Sequence, residues 1–321
     1  MKIEQYPNQI QFAKRRKISY NQRAVKKKPM DLTNILELKK LMRTYGAWPN
    51  KDLGQHFLTD KSVLAKMVET ADLSAKDVVV EVGPGLGIMT KELAKRAKKV
   101  YAVEIDPKIA EILSTTCIKH PNVKIMRSDI RDFNPKGIGR YKVVANLPYY
   151  ITSHVLKKFL EEKHKPETIT VLIQREVAER ICTKPGRMSI LAVAIQFYGM
   201  PEIKELVSPM AFFPSPKVYS AILKIKVFKE PIFENVNTKV FFRLVRTGFG
   251  EKRKMLSNSM SGGLGIEKED AEKLLRGAGV EPMLRAERLS LDDWRRIYLV
   301  FTKYLNLSGG SDAQVADQSN W

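Results

Sequence analysis

From residue 31 onward the apolar positions alternate between two periods. Ile35, Leu36, Leu38, Leu41 and Met42 recur at helical spacing. Asp31-Leu32-Thr33 offers an N-cap before them, and Tyr45-Gly46 closes the helix they predict. Short, β-branched apolar runs then take over: Val78 to Val82, Lys99 to Val103, Val123 to Met126, Lys142 to Ala145 and Thr168 to Ile173. Lys204 to Val207 and Ser220 to Val227 read as a closing pair. Amphipathic stretches such as Met89 to Ala97 separate the runs, and strands alternating with helices predict a mostly parallel, doubly wound α/β sheet. After Pro231 only the helical period remains, over Thr238 to Thr247, Lys252 to Met260, Lys268 to Ala278 and Ser290 to Asn306. Gly262-Gly263, Gly277 and Pro282 punctuate these helices. The expected organisation is a basic arm over 1–30, a sheet domain over 31–228, a small all-helical domain over 229–307 and a polar tail over 308–321.

Composition excludes several classes. No apolar run in the 321 residues approaches the ~20 needed to cross a bilayer. Met1 to Lys17 lacks an apolar core before a small-residue cleavage site, so no secretory leader is expected. The two cysteines, Cys117 and Cys182, stand alone, which fits neither a disulfide framework nor a zinc site. A cytoplasmic, metal-free protein is expected. The net charge of +21 calls for a polyanionic partner, and nucleic acid comes before membrane because no basic amphipathic helix with an aromatic face is evident.

Glu81-Val82-Gly83-Pro84-Gly85-Leu86-Gly87 joins a predicted strand to a helix, where glycines let the backbone turn tightly and approach a ligand. The next strand ends at Glu104, placed to accept the ribose hydroxyls of an adenosine. A nicotinamide-dependent oxidoreductase shares this geometry. The glycine spacing and the acid at Glu81, which can reach the amino acid end of the cofactor, favour an S-adenosylmethionine enzyme. Asp129 follows the third strand and suits either the cofactor's adenine amino group or a helix cap.

Asn146-Leu147-Pro148-Tyr149 follows the fourth strand, where open α/β sheets bind ligands. Methylating an exocyclic amine requires two acceptors that hold its hydrogens and bias the nitrogen toward a nucleophilic geometry. The Asn146 side-chain oxygen and a backbone carbonyl at Leu147 or Pro148 can provide them, and Tyr149 offers a face for the base.

In these motifs the chain resembles the ribosomal RNA adenine dimethyltransferase family, specifically its small-subunit branch. The resemblance runs from Leu32 to Leu305. It includes Leu53-Gly54-Gln55-His56-Phe57-Leu58, Gln174-Arg175-Glu176-Val177-Ala178, Phe212-Phe213-Pro214-Ser215-Pro216-Lys217-Val218 and Arg285-Ala286-Glu287-Arg288-Leu289-Ser290. It implies a Rossmann-like methyltransferase domain followed by a helical domain, with S-adenosylmethionine as methyl donor. His56, Leu58, Gly83, Glu104, Asp129 and Asn146 would line the cofactor site, and Phe212 would face Tyr149 across a flipped adenine. The implied product is N6,N6-dimethyladenine at two adjacent adenines in a hairpin near the 3′ end of small-subunit ribosomal RNA. The implied partner is the immature small subunit, and a monomer is the default expectation. Arg246, Lys252, Arg253 and Lys254 are the expected RNA contacts. His56 and Tyr150 stand where Asn is usual in bacterial members and look more like archaeal or eukaryotic ones, whereas Thr33 to Gly46 looks like a bacterial leader. Two rivals remain: a large-subunit adenine methyltransferase of the antibiotic-resistance type and a non-catalytic RNA-binding factor on the same fold.

Overall fold

The computed structural model describes residues 30–50, 53–251 and 253–307. The basic arm up to residue 29, Lys252 and the tail from residue 308 lie outside the described residues. The described residues from Leu32 onward form one compact unit.

The chain opens with helix α1 (Ile35–Thr44) and a short strand, β1 (Phe57–Leu58). It continues through α2 (Lys61–Ala71), β2 (Val78–Val82), α3 (Ile88–Ala94), β3 (Lys99–Glu104), α4 (Pro107–Thr116), β4 (Val123–Arg127) and β5 (Tyr141–Asn146). Then come α5 (Thr152–Glu161), β6 (Thr168–Gln174), α6 (Arg175–Ile181), α7 (Ile190–Tyr198), β7 (Gly199–Val207), β8 (Phe212–Phe213) and β9 (Ser220–Val227). Four helices end the described chain: α8 (Thr238–Phe249), α9 (Leu256–Leu264), α10 (Lys268–Gly277) and α11 (Leu291–Leu307).

Seven strands form one sheet in the order β4-β3-β2-β5-β6-β9-β7. β4, β3, β2, β5 and β6 pair in parallel, and β9 joins β6 and β7 antiparallel. Every strand expected from the sequence is present. β7 begins five residues before the apolar run at Lys204 to Val207 and contains a bulge between Ile203 and Glu205, which hides its alternation. The sheet is doubly wound because alternate residues face different layers: Val79, Val144, Leu172 and Ile222 pack with α1 to α3, whereas Val80, Val143, Val171 and Leu223 pack with α5 to α8. The strand order reverses between β2 and β5, so the loops after these two strands open a crevice at the carboxyl edge.

The helical segment shares this second core. Phe197 of α7 stacks on Phe241 of α8 at a centroid separation of 4.8 Å and meets Phe242 edge-on at 5.2 Å. Trp294 of α11 is fully buried against Phe249, with ring centroids 5.8 Å apart.

Several helix boundaries differ from expectation. α1 is capped by Asn34, whose side chain accepts from the Leu36 and Glu37 amides, and not by Asp31-Leu32-Thr33. The helix expected from Lys252 starts only at Leu256, because the charged run before it has nothing to bury; Leu256 is the first residue whose side chain enters the core. At its other end α9 runs through Gly262-Gly263. A Cβ on Gly263 would lie 2.5 Å from the Thr247 methyl, so glycine here permits close helix packing instead of ending the helix.

Candidate active site

A cavity of about 470 Å³ occupies the switch point. His56, Leu58, Gly83, Glu104, Asp129, Asn146, Leu147, Pro148, Tyr149 and Phe212 all line it. The ends of β2, β3, β4 and β5, together with β1 and β8, bring them together from positions spread over more than 150 residues of sequence.

The loop after β2 forms the cradle. Gly83, Gly85 and Gly87 have φ of 64°, 56° and 87°, a region that L side chains rarely adopt. A Cβ on Gly85 would approach the Phe57 ring to 3.1 Å, so the cradle and β1 close on each other only with glycine there. The Gly85 amide donates to Glu104 Oε2 (3.3 Å), and the Asp106 amide donates to Glu104 Oε1 (2.9 Å). Burial pushes the Glu104 carboxyl above its ordinary range, against the pull of these amides.

Glu81, the acid before the first glycine, is completely buried on β2, and neither carboxylate oxygen has a hydrogen-bond partner among the described residues. Burial, reinforced by Glu104 and opposed by the nearby Thr90 hydroxyl, pushes it up to about 8. An unpaired buried carboxyl is costly, and a cationic ligand in the cavity would relieve it.

Asp129 acts first as a cap. Oδ1 accepts from the Arg131 amide at 2.8 Å, and Oδ2 binds the Arg131 guanidinium at 2.7 Å. That pairing holds its carboxyl below the usual range. Arg131, His154 and Lys158 also line the cavity, and sequence reasoning missed all three. The available signals were the spacing of Arg131 two residues after Asp129, and the four-residue spacing of His154 and Lys158 on the helix after Asn146 to Tyr149.

The opposite wall comes from the loop after β5. The Asn146 side-chain amide donates to the His56 carbonyl at 2.8 Å, which fixes the carboxamide and leaves its oxygen as an acceptor. The Pro148 carbonyl accepts from the Ile151 amide at 3.2 Å. The Tyr149 hydroxyl bonds to the buried Ser220 hydroxyl at 2.9 Å, and its ring stacks on the His56 imidazole with centroids 5.9 Å apart. His56 Nδ1 in turn reaches the Pro214 carbonyl at 2.6 Å. His56 therefore uses its ring as well as its backbone, which the sequence reading did not anticipate. Phe212 is buried where β8 pairs with β1, opposite Leu58.

The expected RNA contacts lie away from this cavity's lining. Arg246 is half-buried on α8. Arg253 and Lys254 are exposed in the turn before α9, and Lys254 pairs with Glu251 at 2.5 Å. No cluster of His, Cys, Asp and Glu suited to a metal occurs among the described residues. No helix among them is long and apolar enough to cross a membrane.

A doubly wound sheet with a glycine cradle after one central strand and Asn-Leu-Pro-Tyr after its neighbour defines the Rossmann-like methyltransferase class. The family model for ribosomal RNA adenine dimethylase matches residues 48–303, and the chain belongs to that family. It is 46% identical over 271 residues to ribosomal RNA small subunit methyltransferase A of Dehalococcoides mccartyi, covering 83% of this chain and 93% of the relative. The enzyme of the same name from Clostridium botulinum is 38% identical, over 82% of this chain and 97% of its own length. Among solved structures, the 23S rRNA methyltransferase ErmE is 30% identical with a TM-score of 0.64, over 77% of this chain and 99% of that one. A dimethyladenosine transferase from Plasmodium falciparum, at 23% identity, shares the fold with a TM-score of 0.67, over 77% of this chain and 98% of that one.

Proposed function

We propose that this chain dimethylates N6 of two adjacent adenines in a hairpin near the 3′ end of small-subunit ribosomal RNA, with S-adenosylmethionine as donor. The observation that carries the reading is the Asn146 carboxamide, locked by the His56 carbonyl with its oxygen still able to accept. Sequence likeness supports the small-subunit substrate: identity reaches 46% to small-subunit methyltransferases and 30% to the large-subunit enzyme ErmE. An intact cradle and Asn146 loop argue against a purely binding role.

The cavity suits the donor on two counts. Unpaired Glu81 offers a carboxylate to the ammonium of its methionine end, and Gly83 and Gly85 of the cradle line the same cavity with backbone alone. Glu104 would hold the ribose and Asp129 the adenine, the latter sharing its carboxylate with Arg131. Leu58 and the backbone of His56 complete that wall. When bound, the donor supplies a sulfonium-activated methyl group, so no strong protein base is needed.

The remaining work is positioning. The Asn146 oxygen accepts one hydrogen of the adenine amine. The Leu147 or the Pro148 carbonyl accepts the other, since the Pro148 oxygen keeps a second acceptor site beside the Ile151 amide. Tyr149, steadied by Ser220 and His56, stacks on the base, with Phe212 closing the far side. No metal takes part. Residues 229–307, with Arg246, Lys252, Arg253 and Lys254, would read RNA shape and charge, and the protein would act as a cytoplasmic monomer on immature small subunits. Charge reversal at Arg253 and Lys254 is expected to weaken RNA binding while leaving donor affinity unchanged, as measured by filter binding and calorimetry. An unchanged RNA affinity would remove these residues from the contact surface.

A further inference from the structure

Helix α1 turns Leu38, Leu41 and Met42 into the core and exposes its other side. That side carries Leu36, Lys40 and Arg43 at helical spacing, and with Lys39 and Thr44 they line a shallow surface depression. The helix holds three cations against one acid, Glu37. Leu36 is 77% exposed, and Trp48, just beyond the helix, is 54% exposed. Apolar and aromatic groups left this open among cations are the combination that single-stranded RNA uses, bases stacking while phosphates pair with the charges.

Two of the three cations, Arg43 and Lys39, are also held against aromatic rings. The Arg43 guanidinium lies 5.7 Å from the Trp48 ring centroid, and the Lys39 ammonium lies 4.8 Å over Phe213. Phe213 pairs with Phe57 in the small β1–β8 ladder, and both Phe57 and Phe212, the neighbour of Phe213, line the cavity. The basic face of α1 is thus one residue removed, through Phe213, from the aromatic wall of the active site.

We propose that the outer face of α1, through Leu36, Lys40, Arg43 and Trp48, docks single-stranded RNA flanking the nucleotide that enters the cavity. This rests on the proposed function, and it adds a contact surface on the side of the molecule that precedes the sheet in sequence. Charge and stacking separate cleanly in the test. Small-subunit RNA would be titrated by fluorescence anisotropy between about 50 and about 200 mM salt, with about 0.7 of logarithmic salt slope expected per phosphate contact on a single strand. The Lys40→Ala/Arg43→Ala double variant should lower that slope by about 1.4 and weaken binding about ten-fold. Trp48→Ala should weaken binding about five-fold or more with the slope retained. Donor affinity, measured by calorimetry, should not change in either. Both sets of side chains are exposed, so the fold is not at stake. Wild-type affinity and slope in the double variant would overturn the docking surface and leave the proposed function standing. Failure of the wild type itself to bind either small-subunit RNA or immature small subunits would overturn both.

Discussion

Glu81 sits in a strand whose four other residues are valines, with its carboxyl wholly buried and unpartnered. Its raised value of about 8, against an ordinary 4.5, means that the folded state holds the proton more tightly than the unfolded chain. The stability this contributes is complete below about 4.5 and is lost as pH rises through about 8, at a rate that reaches about 1.4 kcal/mol per pH unit. Denaturation of the ligand-free protein across that window should show the decline, and Glu81→Gln should flatten it. If Glu81 meets a cationic donor, donor affinity should rise with pH over the same window in the wild type and be weaker and pH-independent in Glu81→Gln. Affinity that is flat with pH in the wild type would remove Glu81 from the donor site. Tyr149 gives a second expectation. Tyr149→Phe keeps the stacking face and should retain most activity, whereas Tyr149→Ala should lower kcat/KM by roughly ten-fold or more, given ~1–3 kcal/mol for a base–aromatic stack. At this scale the sequence carried the glycines and the Asn-Leu-Pro-Tyr loop, because chemistry confines those residue types. It could not carry the His56–Tyr149 stack or the Arg131 pairing of Asp129, which exist only once distant loops meet.

Elements were legible where an apolar run or period continues unbroken. The central strands β2, β5 and β6 are plain because β-branched runs buried on both sides leave a continuous signal. β1 and β8, two residues each, have too little pattern to read, yet their pairing closes the cavity wall. The start of α9 was misplaced because a charged run can continue a helical pattern without anchoring it. Glycines at helix contacts also escape sequence reading. A Cβ on Gly248 would lie 2.4 Å from the buried Trp294 ring, so the helical region depends on glycine there. Gly248→Ala should destabilise the protein by about 1–3 kcal/mol through overpacking, visible as a lowered urea midpoint, while donor affinity is retained. An unchanged midpoint would mean that α8 and α11 shift apart at little cost.

For the whole molecule, a charge of +21 identifies the class of partner but not its address. The shared fold does not identify it either, since ErmE and this chain superpose with a TM-score of 0.64. The small-subunit reading rests on sequence likeness and on the adenine pocket, and it is decided by where methyl groups arrive. The most direct measurement is transfer of labelled methyl from S-adenosylmethionine to immature small ribosomal subunits, with modified bases mapped by mass spectrometry for wild type and Asn146→Ala side by side. Dimethyladenine is expected at two adjacent hairpin positions with the wild type, and a loss of at least about a hundred-fold in the variant, in keeping with removal of a positioned acceptor. Label in large-subunit RNA, or equal transfer by Asn146→Ala, would contradict it.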